Sequence, residues 1–508
     1  MRRKILGISP IYKRIGSGGA VFAAYSDAKT NDFAKKTILI IGSPFNSIGH
    51  GPQYAYSSIQ AAKAIKELGY NPIIVSAHAS LCAGKGIDII VEPITLESIL
   101  SIIEAAKADG VIIDFGGNAA AGIGAQLSKL ANKLGLSQSE CGSANSVKDA
   151  LSIAEEIGYP LIARAANHFA KLTREIIYDG DDLSVYVTNA LKSITNGGVR
   201  LERFLEDSIE VDIDIISDAK QSIICAIMEH IEQAGIHAGD SASSTPCYSL
   251  DNSIVEIIKI QSIALADELG VIGLMKAHYA VNDNKVYLLG INIGCSATVP
   301  FVSRATDINW ARVGAKVLMG ISLSEQKIMQ PDLQNKIAVR ETVFPFSRLK
   351  GADVVLGPQM KSTGEVIAIN SDFGHAYIKA QIAAGQVLPT SGNVFISVAD
   401  RDKKYIPELG KKLSELGLKI VATNGTGEIL KANGIDCRVI AKIAESRPDA
   451  IDLIKNGEID LIINTRNGKN PRVHEISIRS AIIARGIPII TTIAGAKATL
   501  QGMAAVKK

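Results

Sequence analysis

Between Met228 and Ser241 the chain reads Met-Glu-His-Ile-Glu-Gln-Ala-Gly-Ile-His-Ala-Gly-Asp-Ser. Glu229, Glu232 and Asp240 supply carboxylates and His230 and His237 imidazoles, while Gly235 and Gly239 break the run ahead of a Ser-rich stretch and Pro246. Side chains of this kind need partners if they are buried, so the run predicts a strand leading into a polar, ligand-facing loop. A solvated loop whose charges do nothing is the competing reading. Two apolar runs further on carry His278 (Met275 to Tyr279) and Asn292 (Leu288 to Gly294). A structural histidine is the plainer reading of His278, because no second ligand sits at a supporting spacing.

The elements that must position these groups are legible as alternation. Thr37–Ile41, Asn71–Val75, Ile87–Val91 and Val111–Phe115 read as strands, with a helix over 57–68 closed by Gly69. Strand–helix alternation predicts a parallel sheet covered on both faces. From about 143 to 330 the pattern is mixed, with strands near Leu161–Arg164, Glu210–Ile216, Ser222–Met228 and Val286–Ile291. A second alternating series opens at Asn393, with strands at Val394–Val398, Lys419–Ala422, Ile459–Ile463 and Ile487–Ile490.

The bulk properties bound the function. At 508 residues the chain holds two to four domains, and 47% hydrophobic with 21% charged residues describes an ordinary globular protein. A net charge of +3 gives no electrostatic case for nucleic acid or a membrane surface. The six cysteines, Cys82, Cys141, Cys225, Cys247, Cys295 and Cys437, are scattered without a CxxC pair, which suits a reducing cytosol. No signal peptide and no apolar run of about 18 residues is expected, so the location predicted is cytoplasmic.

The wording of Glu229–Ser241 resembles the EHIEQAGVHSGDS signature of the carbamoyl-phosphate synthase large subunit, in its carbamate-phosphorylating half. Gly42–Gly51 resembles that family's GGGPNRIGQG, and Phe301–Thr306 and Leu356–Val366 resemble two further stretches. The resemblance runs from about Lys13 to the C-terminus and implies an α/β chain. Its expected parts are a remnant of the oligomerisation region (1–35), a Rossmann-like pre-ATP-grasp domain (36–135) and an ATP-grasp domain truncated at its start (136–330). A connecting region (331–385) and a methylglyoxal-synthase-like regulatory domain (386–508) complete the set.

The resemblance implies ATP and magnesium as cofactors if the chain is active, and none otherwise. Arg164, Glu210, Gly235, Ile236, His237 and Asn292 match nucleotide-binding positions, with Asn292 and His278 at the metal positions. The family's metal-ligating Gln is His278 here and its bridging Glu is Gly290, while two arginines have become Gly294 and Ala297. Its glycine-rich phosphate loop reads Asn167 to Ile176, with Ala170 and Lys171 where glycines are expected. Losing these together predicts a degenerate site, since one transition-state partner alone is worth about 10²–10³ in rate.

In the regulatory domain the resemblance implies a mononucleotide phosphate cradle from Lys403, Thr423, Thr426, Lys442, Asn464 and Thr465. The competing reading is that Thr423 and Thr426 only cap a helix. An ornithine-like pocket is implied at Glu232, Asp240, Glu341 and Thr491, with internal salt bridges as the alternative. Two functions follow as expectations. One is an impaired regulatory or scaffolding subunit in arginine or pyrimidine biosynthesis; the other is an active half-subunit phosphorylating carbamate. The implied partners are an N-terminal half of the large subunit and a glutaminase small subunit, or an intact paralogue.

Overall fold

The computed structural model describes residues 11–14, 20–24, 36–42, 50–76, 87–92, 94, 96–115, 141–165, 175–193, 198–205, 208–333, 335–345, 356–441, 447, 449–465 and 486–507. The first sheet has six strands in the order Ile11–Arg14, Ala20–Ala24, Asp88–Val91, Asn71–Ser76, Thr37–Ile41, Gly110–Ile112. All neighbours are parallel except the first two, which form a hairpin. Residues read as a remnant of another region thus supply the last two strands at one side of this sheet, with Ile11–Arg14 at its edge. Side chains alternate between faces: Ile38, Ile40 and Ile74 meet Ala61 and Ile65 of helix Gly51–Glu67, while Leu39, Ile41, Ile73 and Val75 meet Ile102 and Ala106 of helix Leu96–Ala106. Burying each such side chain contributes about 1.5–3 kcal/mol, so a one-residue slip is strongly disfavoured.

The helix expected over 57–68 starts earlier, at Gly51, with Pro52 in its first turn. The strand expected over 111–115 stops at Ile112, and Ile113 is exposed. An apolar run alone does not specify where sheet pairing ends.

A small antiparallel sheet follows, ordered Cys141–Ala144, Val199–Arg203, Leu161–Ala165, Glu175–Ile177, with helices Val147–Ile157 and Gly180–Ser193 packed on it. The central sheet is antiparallel, ordered Lys285–Ile293, Ile272–Asn282, Ile209–Asp218, Ser222–Gln233, Ser243–Thr245, Ile337–Val343, Gly364–Asn370. Its last two strands come from the stretch expected to be a connector, so the sheet continues through the boundary near 330. One face buries Val211, Ile213 and Ile215 against helix Asn252–Glu268. Period-2 alternation then turns Glu210, Asp212 and Asp214 to the opposite face.

The last domain is a five-stranded parallel sheet, ordered Arg438–Ile440, Leu418–Thr423, Gly392–Ser397, Leu461–Asn464, Ile489–Ile490. Helices Ile406–Glu415, Asn424–Ala432 and Ile493–Lys507 cover one face and Ala450–Asn456 the other. Among the described residues, no helix is long and apolar enough to cross a membrane.

Candidate nucleotide and effector sites

Strand Ser222–Gln233 carries the Glu229–Gln233 part of the polar run, and the chain then turns through Gly235, whose φ is +94°. A Cβ there would lie 2.7 Å from the Phe204 ring, so the turn admits only glycine. Glu210 accepts the Gly235 N–H at 3.3 Å, and His237 donates its backbone N–H to Gly357 at 2.8 Å while its Nδ1 accepts from Gly239. The His50 ring, at the start of helix Gly51–Glu67, lies 6.2 Å from that of His237. Burial pushes the His50 pKa down to about 3, leaving it neutral.

The densest chemistry lies one strand away. Asp212, almost fully buried, accepts from Lys276 Nζ at 2.6 Å and pairs with His278 Nδ1 at 2.7 Å and His230 Nε2 at 3.1 Å. His278 Nε2 lies 3.2 Å from Glu210. Burial alone would deprotonate His278, but the two flanking carboxylates outweigh it and raise its pKa to about 9. The Lys276, His278 and His230 charges likewise hold Asp212 well below the usual carboxylate range, against its burial. Asp214, two residues on, accepts from Ser296 at 2.9 Å and Thr298 at 2.5 Å; burial pushes it up to about 6.

Across the strand pair, Asn292 faces Lys276 and Gly290 faces His278. A Cβ at Gly290 would meet no atom within 4 Å, so packing does not demand glycine there. Gly294 is different. Its φ is +102° and a Cβ would lie 2.9 Å from the Asp114 carbonyl. Arg164, on the small lobe, hydrogen-bonds Glu202, which also takes Arg200 at 2.6 Å. Of the nucleotide set, Glu210, Gly235, Ile236 and His237 therefore cluster at one turn, Asn292 lies on strand Lys285–Ile293, two strands beyond that of Glu210, and Arg164 sits on the separate small sheet. Of the expected phosphate loop, Asn167 to Ile176, residues 167–174 lie outside the described residues, and Glu175 and Ile176 begin the strand Glu175–Ile177.

The acids read as an ornithine-like pocket are engaged within the protein. Asp240 accepts the backbone N–H of Lys361 and Ser362 at 2.7 and 2.8 Å. Glu341 accepts from the Gln381 amide at 2.6 Å, and burial pushes its pKa up to about 8. Glu232 accepts the hydroxyl of Thr492, the neighbour of the residue singled out in the sequence. Among the described residues none of the three acids hydrogen-bonds a Lys or Arg side chain. A cavity of about 690 Å³ opens beside Glu232, between the central sheet and helices Ile406–Glu415 and Ile493–Lys507.

The residues read as a phosphate cradle gather at the C-terminal ends of the last sheet. Lys403 Nζ would lie 2.9 Å from a Cβ at Gly425, in the first turn of helix Asn424–Ala432, and pairs with Asp400 at 2.7 Å. Thr423 is that helix's N-cap but its side chain makes no capping bond; Thr426 is buried. Asn464 donates to the Ser397 carbonyl at 3.2 Å, and Thr465 accepts the Ala399 N–H at 2.9 Å. Lys442 lies outside the described residues.

Asp212, Lys276 and Thr492 escaped the reading of the sequence as site residues, and His230 was read only as part of the polar run, not as a partner of Asp212. A signal existed for the first: Glu210-Val-Asp212-Ile-Asp214 puts an acid at every second position of an otherwise apolar strand.

Three family models match the chain: the carbamoyl phosphate synthase preATP-grasp domain over residues 34–141, the carbamoyl-phosphate synthase L chain ATP binding domain over 125–326, and the MGS-like domain over 406–491. The chain is 39% identical to the carbamoyl phosphate synthase large chain, C-terminal section, of Methanocaldococcus jannaschii, covering 99% of this chain and 91% of that one. It is 38% identical to the corresponding section of Aquifex aeolicus, over 93% and 96%. Against the large chain of Archaeoglobus fulgidus, identity is 39% over 99% of this chain but 50% of the other, so this chain spans about half of that relative. Among solved structures, the biotin carboxylase of Campylobacter jejuni superposes with a TM-score of 0.53 at 15% identity, covering 70% of this chain and 91% of that one. An N5-carboxyaminoimidazole ribonucleotide synthetase in complex with ADP gives 0.52 at 16%, over 69% and 96%. These two show the fold alone. Taken with the three domains in this order, the identities over nearly the whole of two C-terminal sections establish that the chain belongs to the carbamoyl-phosphate synthase large-chain family, as a C-terminal section.

Proposed function

We propose that this C-terminal section is catalytically impaired and serves as a regulatory or scaffolding subunit beside an N-terminal half of the large chain and a glutaminase subunit, in the cytoplasm. One observation carries the reading: the His278 imidazolium already lies between Glu210 and Asp212, opposite Gly290. The residues present do not fit a pair of magnesium ions. The carboxylates that could face a metal are neutralised by Lys276 and His278, and glycine offers no oxygen to bridge two cations. The regulatory part of the proposal rests on the gathering of Lys403, Thr423, Asn464 and Thr465 beside a helix N-terminus, a setting that suits a mononucleotide phosphate.

The decisive experiment measures carbamate-dependent ATP hydrolysis and carbamoyl phosphate formation by the purified chain, alone and with an N-terminal section. The expected rate is background. Turnover near 1 s⁻¹, the low end of ordinary enzymes, overturns the proposal and restores the reading of an active half-subunit. Asn292, Glu210 and Arg164 favour that second reading, since each is of the residue type the family uses.

A further inference from the structure

A cavity of about 420 Å³ lies where three helices end. Ile382 comes from the last turn of helix Phe373–Ala383, Leu416 is the C-cap of helix Ile406–Glu415, and Met503, Val506 and Lys507 come from the last turns of helix Ile493–Lys507. Gly385, at φ +85°, ends the first of these helices and turns the chain into Val387, which lines a further side. The rim is apolar: Ile382, Val387 and Val506 are 56%, 71% and 51% exposed. Single exposed apolar side chains are ordinary, but three gathered around one concavity mark a binding site. Small-molecule sites run from about 300 to 1,000 Å³, so the volume here suits a small ligand.

Charge narrows the ligand from both sides. Among the described lining residues Lys507 is the one charged group, and its Nζ donates to the Glu415 carbonyl at 3.4 Å, at the end of helix Ile406–Glu415. That ammonium repels a second cation. An anion meets the partial negative charge at the ends of helices Phe373–Ala383 and Ile406–Glu415, and must draw Lys507 off the carbonyl it already holds. A charge of either sign also loses its water on entering apolar walls. We propose that this cavity binds a small, uncharged, largely apolar molecule on the scale of one bicyclic ring system. It shares Leu416 with the cavity beside Glu232, but none of that cavity's acids line it.

Indole, indole-3-acetate and tryptamine share one ring system and differ in charge, so together they test the sign. The full chain, labelled with carbon-13 at its methionine methyl groups, is titrated with each. Met503, in the cavity wall, is identified among the seven methionines by Met503→Leu. Indole is expected to shift the Met503 resonance saturably, with an affinity at least about tenfold above those of the two charged analogues, the factor that 1.4 kcal/mol represents. Equal or tighter binding of either analogue overturns the proposal, and so does the absence of a Met503 shift at millimolar indole. A Met503 resonance that moves on dilution of the unliganded chain, with a change in sedimentation, also overturns it and assigns the rim to contact between two copies. Val506→Trp puts an indole ring on the chain itself at the rim. Because that position is half exposed the fold is expected to hold, and free indole is expected to bind at least about tenfold more weakly. Should that variant misfold, Val387→Trp, at a still more exposed position, carries the same expectation. Unchanged indole affinity in the folded variant overturns the proposal.

Discussion

His278 Nδ1 lies 2.7 Å from Asp212 Oδ1, and the same ring reaches Glu210 through Nε2 at 3.2 Å. One imidazolium thus ties two acids that sit two residues apart on strand Ile209–Asp218, from the neighbouring strand Ile272–Asn282. Removing the ring leaves a buried Asp212 with fewer counter-charges and Glu210 with one partner fewer. His278→Leu is expected to destabilise the fold by about 3 kcal/mol, in the range found when one partner of a buried ion pair is removed. His278→Gln, which keeps a hydrogen bond, is expected to cost less. Urea midpoints for the two variants check this; equal costs would contradict the ion-pair account.

Rebuilding the metal side chains alone is not expected to give carbamate-dependent turnover. In Gly290→Glu/His278→Gln the new glutamate has room, yet the family's arginine position at Gly294 is closed to any side chain by its φ of +102° and by the Asp114 carbonyl. The expected outcome is a folded double variant with background carbamate-dependent ATPase. Recovery of turnover in a steady-state assay would show that the arginine is dispensable.

The sequence carried the three-domain order and most strands because apolar alternation, glycine turns and the polar run at Glu229–Ser241 are local signals. The ion network was less legible. His278 finds its partners through sheet register, Asp212 opposite His278 and Gly290 on its other side, and register depends on residues some 66 positions apart in sequence. The acids Glu232, Asp240 and Glu341 were visible as residue types, but what each one bonds depends on long-range contacts that no spacing encodes. Asp240, for instance, anchors the turn at Lys361 and Ser362.

Glu341 sets a pH dependence. Burial and the nearby Glu232 raise its pKa from 4.5 to about 8, against the backbone N–H of Thr342 and the Arg340 charge. The folded state therefore holds a proton that the unfolded chain has released. Stability from this group is full below the unfolded value of 4.5 and falls by about 1.4 kcal/mol per pH unit, until it is gone above pH of about 8. The neighbouring groups are Glu232, Arg340, Thr342, Gln381 and Tyr377. Glu341→Gln is expected to flatten the melting temperature across that window. A variant that keeps the wild-type slope would assign the proton elsewhere.

In the MGS-like domain, one helix end is built to receive an anion. Thr423 occupies the N-cap of helix Asn424–Ala432 without spending its hydroxyl on the helix, and Lys403 stands against Gly425 in the same turn. The helix's first N–H groups and its dipole favour an anion at that end. UMP or IMP is therefore expected to raise the melting temperature of the full chain, by mass action worth about 2.7 kcal/mol when free ligand is a hundredfold above its dissociation constant. Lys403→Ala and Lys442→Ala are each expected to weaken the response by removing a charge-assisted contact. Thr423→Val, which keeps the shape and deletes the hydroxyl, separates binding from capping: without a capping bond to lose, it should leave the unliganded melting temperature nearly unchanged while reducing the nucleotide shift. A large fall in unliganded stability with an intact nucleotide response would return Thr423 to a purely structural role.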